Sequence, residues 1–164
     1  MQKTVVSNTG PLISVEKLRD GYGFIRKLYR KILIPPKVAE EISERYENFE
    51  SYLQHYKVAD LIEIRPVGEI VRIEGIQNLD NGEIEAISLA AESGFELLIE
   101  ETMGRSLALK AGIKISGIAG LIGSAYKAGL ISKDEAEDNL QTLLKTCRIN
   151  IRVHTAVSHF LHTV

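Results

Sequence analysis

The sequence predicts a three-layer α/β/α sandwich around a mostly parallel β-sheet, and three observations carry that prediction. Short β-branched or apolar runs alternate with helical segments along the 164 residues. The intervals between successive runs are too long for hairpins, so right-handed crossovers must join the strands. A composition of 45% hydrophobic and 26% charged residues is the balance of a globular chain able to cover such a sheet on both faces. The length suits one domain, residues 1–164, because a single core serves chains of up to about 250 residues.

The elements follow in order. Thr4-Val5-Val6-Ser7 is a β-branched run ending in Asn8-Thr9-Gly10-Pro11, where Pro11 suits the first helical turn and Asn8 or Thr9 can cap it. A helix over about Gly23–Tyr29 leads into the strand Ile32-Leu33-Ile34. Pro35-Pro36 stops that strand and opens a helix with Val38, Ile42 and Tyr46 at i, i+4 and i+8. A more polar helix is expected around Phe49–Val58. Leu61–Val67 alternates apolar and polar residues, the period of a half-buried strand.

The second half repeats the alternation. Asp80-Asn81-Gly82-Glu83 starts a helix carrying Ile84, Ile87 and Ala91, with Gly94 in C-terminal position. Glu96–Ile99 is the next strand, Thr102–Ala111 the next helix, and Ile113–Ser116 another strand. A glycine-spaced helix follows over Ile118–Ala128, then a helix over Lys133–Lys145 with Ala136, Leu140, Leu143 and Leu144 as its stripe. Arg148–Val153 reads as a last strand before a short helical tail.

Several function classes are excluded. No apolar stretch approaches the roughly 20 residues of a bilayer span, and no apolar signal core follows Lys3, so the expected compartment is the cytoplasm. The single Cys147 has no internal partner. A net charge of −2 leaves nucleic-acid contact to local patches. The best such patch is Arg26, Lys27, Arg30 and Lys31, which at i,i+4 spacing would form one basic helix edge, or simply a solvated face.

In a parallel sheet, ligands bind beyond the carboxyl ends of the strands. There the sequence sets Ser7-Asn8-Thr9, Glu40-Glu41, Asp80 with Glu83, and Glu100-Glu101. Converging carboxylates suit Mg²⁺ or Mn²⁺, hard cations that prefer oxygen ligands. Structural readings stand beside this one. Asp80 and Glu83 fit a capping pair, Glu101 and Arg105 an i,i+4 ion pair, and Glu40 and Glu41 a plain helix surface. Gly117, Gly120 and Gly123 fit close helix packing better than a phosphate loop. His154, His159 and His162 lack acidic or thiol company for a metal site.

Four motifs in order are similar to a known family: Val6-Ser7-Asn8-Thr9-Gly10-Pro11-Leu12-Ile13; Ile34-Pro35-Pro36 with Val38 and Glu41-Ile42; Gly82-Glu83-x-Glu85-Ala86-Ile87-x-Leu89-Ala90; and Leu97-Leu98-Ile99-Glu100-Glu101 with Gly104-Arg105. The chain resembles the PIN-domain family over about Val5–Leu144, most of all the small prokaryotic branch of predicted nucleic-acid-binding proteins. The resemblance implies a PIN-like sandwich and a Mg²⁺- or Mn²⁺-dependent endoribonuclease, as in the VapC-type toxins of toxin–antitoxin pairs. RNA, an antitoxin and a second copy of the chain are the implied partners. The family's acidic quartet maps onto Asn8, Glu41, Glu83 and Glu101, with Glu41, Glu83 and Glu101 as metal ligands and Glu100 as an equal alternative for the fourth place. Thr9 then helps Asn8 to position water or phosphate, and Arg26, Lys27 and Arg30 contact the RNA backbone.

The departures are specific. Asn8 replaces the usual Asp with a neutral oxygen, and Glu83 and Glu101 are one methylene longer than Asp. A catalytically weak or inactive PIN-like domain that binds RNA or a protein partner is therefore the alternative reading. A phosphate-binding role for Gly117–Gly123 is a third.

Overall fold

Strand β1 (Lys3–Ser7) forms because Thr4, Val5 and Val6 favour a pleated surface, and it occupies the centre of a five-stranded, all-parallel sheet. A computed structural model describes residues 3–164. The strand order is β3-β2-β1-β4-β5, with β2 (Tyr29–Ile34), β3 (Ile62–Ile64), β4 (Glu96–Leu98) and β5 (Ile115–Ser116). β1 pairs with β2 on one side (Val6 opposite Leu33) and β4 on the other (Val6 opposite Leu97). The chain moves outward from β1 through β2 to β3, then crosses back to β4 and β5. The carboxyl ends of β1 and β4 thus flank a topological switch point.

The connections are helical: α1 (Thr9–Lys17), α2 (Tyr22–Arg26), α3 (Pro36–Ser43), α4 (Phe49–Tyr56), α5 (Asn81–Ser93), α6 (Thr102–Lys110), α7 (Ile118–Lys127), α8 (Lys133–Lys145) and α9 (Ile151–Thr163). Because the crossover direction reverses after β3, α1 and α5 lie on opposite faces of the sheet. α5 packs on β1 and β4 and against α3, while α1 packs against α3 as well and, away from α5, with α7 and α8. The α/β sandwich expected from the alternation is the fold observed. Val5, Val6, Ile32, Leu33, Ile34, Leu97 and Leu98 are fully buried at its centre.

Two local expectations are corrected. Arg148–Val153 is no strand: Asn150 caps α9 by accepting the Val153 N–H at 3.0 Å, and the helix runs to Thr163. Ile149, Val153, Val157 and Leu161 recur every four residues, a helical period that outweighs the short β-branched run. The stretch over Gly23–Tyr29 also breaks early, since α2 ends at Arg26 and Tyr29 already belongs to β2. Arg26, Lys27, Arg30 and Lys31 therefore do not share a helix edge.

The far end of α1 is fixed by a polar knot that places its first turn. Glu16, with a side chain only 4% exposed, accepts two bonds from Arg45 (2.6 and 2.9 Å) and one from the Tyr56 hydroxyl at 3.1 Å. A buried carboxylate needs such partners. Burial also raises the Tyr52 and Tyr56 phenols well above their usual pKa, so they stay donors. Of the three glycines expected to pack, only Gly123 meets α9: a Cβ there would lie 3.2 Å from Phe160 and 3.4 Å from Val157, whereas Gly120 is exposed with no heavy atom within 4 Å of a Cβ and Gly117 is the N-cap residue facing Arg105.

Candidate active site

The site begins with the two chain segments leaving β1 and β4. Asn8 follows β1, its N–H held by the Leu98 carbonyl at 3.0 Å, and it is buried at 5% exposure. Its Oδ1 has no hydrogen-bond partner. A buried amide oxygen without a partner costs about 1–3 kcal/mol, so it calls for an explanation. Thr9, the first residue of α1, donates its hydroxyl to Glu41 Oε2 at 2.6 Å. Glu41 itself is presented by α3.

Glu41 reaches the first turn of α5 because position 82 is glycine. A Cβ there would collide with both Glu41 carboxylate oxygens, the second at only 2.8 Å. Asp80 caps α5, accepting the Glu83 N–H at 2.8 Å, while Glu83 Oε2 accepts the Asp80 N–H at 3.1 Å. The capping pair read from the sequence is thus present as a full capping box. After β4, Glu100 turns one way and Glu101 the other. Glu100 accepts from Ser14 Oγ at 2.8 Å and pairs with Arg148 at 3.4 Å. Glu101 is the exposed N-cap residue of α6. Its expected ion pair with Arg105 does not form, because Arg105 Nη1 donates to the Ile99 carbonyl at 2.8 Å.

One cavity of about 110 Å³ gathers Asn8, Thr9, Glu41, Glu100 and Glu101. Glu83 stands beside it, buried, with Oε1 3.1 Å from where a Gly104 Cβ would sit. Two further side chains line the cavity: Asp80, which the sequence placed among the strand-end acids but outside the quartet, and Arg148. Asp80 gave a signal, its cap position, that points equally well to structure. Arg148 gave none: it arrives from 134 and 138 residues away to donate Nε to Ser14 at 2.9 Å and Nη2 to the Gly10 carbonyl at 3.0 Å.

The basic residues are elsewhere. Arg26 pairs with Asp60 at 2.8 Å, and Lys27 stands 3.8 Å from Glu135. Arg30 is exposed at the amino end of β2, in a separate groove with Lys3, Phe95 and Lys114. The structure places that group at the opposite end of the sheet from the acidic cavity.

Electrostatics mark the cavity. Burial pushes Glu41 above the usual carboxylate pKa, Thr9 opposes this, and Asp80 adds to it. Burial likewise raises Glu83, with Asp80 and Glu101 contributing repulsion. Burial raises Glu100 against the pull of Ser14 and Arg148. For groups whose native pKa is raised, the folded state holds more protons between the unfolded and native values. Their contribution is therefore most favourable below about pH 4.3 and is lost as pH rises through the raised native values. Glu83→Gln keeps the capping box and removes one charge. Urea midpoints in EDTA should show this variant more stable than wild type at pH 7, with the gain vanishing toward pH 4.

The oxygen donors suit a hard divalent cation in kind, and the orphaned Asn8 Oδ1 is an acceptor that such an ion satisfies. Among the described residues no three His, Cys, Asp or Glu side chains converge closely enough to enclose an ion by themselves. Glu83 and Glu100 are each turned toward protein partners. What remains is a compact set of one amide and two or three carboxylate arms.

Comparison with known proteins bears on the fold and the family. None of the curated proteins compared with the chain matches it. Among solved structures, a PilT N-terminus domain protein from the hyperthermophilic archaeon Sulfolobus solfataricus P2 shares the fold with a TM-score of 0.54 and 20% identity, over 76% of this chain and 93% of that one. The family model DUF3368, described as a PIN domain, matches residues 4–162. With its parallel sheet and the acids at its switch point, the chain belongs to the PIN-domain family.

Proposed function

We propose that this chain is a Mg²⁺- or Mn²⁺-dependent endoribonuclease acting through the acidic cavity. The observation that carries the reading is the unpartnered, buried Oδ1 of Asn8, a residue that lines one cavity with Glu41, Asp80 and Glu101 at the carboxyl ends of β1 and β4. PIN domains generally use divalent metal ions. Asn8, Glu41 and Glu101 are the residues that would hold one here, with Asp80 at the rim. A divalent ion at such a place polarises a phosphoryl oxygen and lowers the pKa of water.

The chain's own groups do the rest. Thr9 holds the Glu41 carboxylate in place with its 2.6 Å bond. The Asn8 amide presents an oxygen to a cation and an N–H to a phosphate oxygen. Arg148 compensates the charge of Glu100, which lowers the repulsion a phosphodiester meets on entry. The cavity admits little beyond the reacting phosphate, about 110 Å³. The VapC-like resemblance extends the proposal to a toxin role, with an antitoxin and a second copy of the chain as partners.

A second reading rests on Asn8 and Arg148 together. The first removes a negative charge and the second supplies a positive one, so the cavity is partly neutralised without any ion. A chain of this kind would bind RNA or a protein partner without cleaving.

Calorimetric titration with Mn²⁺ separates the two. Saturable binding by wild type, abolished in Glu41→Gln/Glu101→Gln, together with Mn²⁺-dependent RNA cleavage lost in the same variant, is the expected result. No binding at millimolar Mn²⁺ and no cleavage would leave the second reading.

A further inference from the structure

Beside the acidic cavity lies a second, larger cleft of about 420 Å³, and the two share Glu100 and Arg148 as a common wall. We propose that this cleft is a nucleotide subsite, in which Arg105 and Arg148 take a phosphate of a single-stranded nucleic acid next to the one in the acidic cavity. Ile149, Val153 and Val157 would back the attached base or sugar. The proposal rests on the nuclease reading and adds to it where the strand runs.

Both arginines are preset with free donors. Arg105 gives one N–H to the Ile99 carbonyl at 2.8 Å. Arg148 engages Nε and Nη2 and leaves Nη1 without a protein acceptor among the described residues. A guanidinium has five N–H donors in a rigid fork that matches two phosphate oxygens. Holding part of the fork on protein carbonyls lowers the entropy lost when the remainder binds.

The surroundings agree. Glu100 is the one carboxylate lining the cleft, and it is neutralised by Arg148 and bonded to Ser14. The first turn of α7 borders the cleft, with its Ile118 N–H already donated to Glu100 and its N-cap, Gly117, carrying no side chain to cap the rest. Val153, 39% exposed, adds apolar surface to the lining of the same cleft. Size also argues for the division of labour. The acidic cavity is too small for a nucleoside, whereas ligand sites for small molecules span about 300–1,000 Å³. The groove holding Arg30 is excluded as the neighbouring subsite, because it opens at the amino ends of the strands.

The test is fluorescence anisotropy of a labelled ten-nucleotide single-stranded RNA, in EDTA, across a salt series. Each phosphate contact on a single strand contributes about 0.7 to the slope of log K against log salt. Arg105→Gln should lower the slope by about that much, and Arg105→Lys, which keeps the charge, should restore it. Val153→Glu, a change on an exposed helix surface, should weaken binding at least about tenfold by placing a carboxylate in the cleft. Arg72→Gln, which removes an exposed cation elsewhere, is the control and should leave the slope as in wild type. Melting temperatures confirm that each variant is folded. An unchanged slope in Arg105→Gln with unchanged affinity in Val153→Glu overturns the subsite, and so does a wild type that fails to bind RNA in EDTA. Neither result touches the Mn²⁺ titration and cleavage assay, by which the nuclease reading stands or falls separately.

Discussion

Arg148→Ala is expected to destabilise the protein by about 3 kcal/mol, the largest single effect among the polar substitutions considered. The guanidinium joins the α8–α9 connection to α1 and to the end of β4. It donates to Ser14 at 2.9 Å and to the Gly10 carbonyl at 3.0 Å, and it stands 3.4 Å from Glu100. Removing it leaves Glu100, whose side chain is only 16% exposed, as a nearly unpaired buried charge. Most of the cost is thus the stranded carboxylate and not the lost pair. Glu100→Gln added to Arg148→Ala should recover more than about 1 kcal/mol, because the amide keeps the Ser14 bond without the charge. The deficit of the single variant should also shrink as pH falls. Without Arg148 the Glu100 pKa rises further, the native state takes up a proton earlier, and protonation removes the penalty. Denaturant midpoints of wild type, Arg148→Ala, Glu100→Gln and the double variant, at two pH values, decide the matter. A simple loss of packing would show neither the rescue nor the pH dependence.

Asn8→Asp should move stability and ion affinity in opposite directions. Position 8 is 5% exposed, and the cavity already holds Glu41, Asp80 and Glu101. Another carboxylate there is poorly solvated and close to like charges, so the variant in EDTA should lose about 2–3 kcal/mol or carry a proton at neutral pH. A divalent ion reverses the sign, because a charged oxygen replaces a neutral one as ligand. The expected result is a lower melting temperature in EDTA, a larger rise on adding Mn²⁺ than in wild type, and calorimetric affinity at least tenfold higher. If the melting temperature in Mn²⁺ stays as far below wild type as it does in EDTA, position 8 faces no cation.

The acidic cavity was legible in the sequence because its parts are tied to strand ends. Asn8, Glu41 and Glu101 sit just beyond or beside segments whose β or helical character is local, and the rule for parallel sheets says where those segments meet. The capping box of Asp80 and Glu83 was legible for the same reason: it needs only a three-residue spacing. The i,i+4 rule failed for Glu101 and Arg105, since the Ile99 carbonyl offers the guanidinium a better-placed acceptor. It failed again for Arg26–Lys31, where the helix ends before the spacing can act.

What the sequence by itself determined is therefore the layer architecture, the parallel sheet and the end of it where acids collect, all of which follow from hydrophobic period and element order. The tertiary structure alone decided which acids face one another and which are spent on protein. Glu100 and Glu101 are adjacent, chemically identical and both on the cavity wall, yet one is bound to Ser14 and Arg148 and the other is exposed at the N-cap of α6. Arg148 could not be foreseen there, because its partners are up to 138 residues away. The physical reason is that secondary structure is fixed by interactions within a few residues. The charge balance of a buried site depends on which distant side chains the packed helices deliver to it, and on the low dielectric that makes each one count.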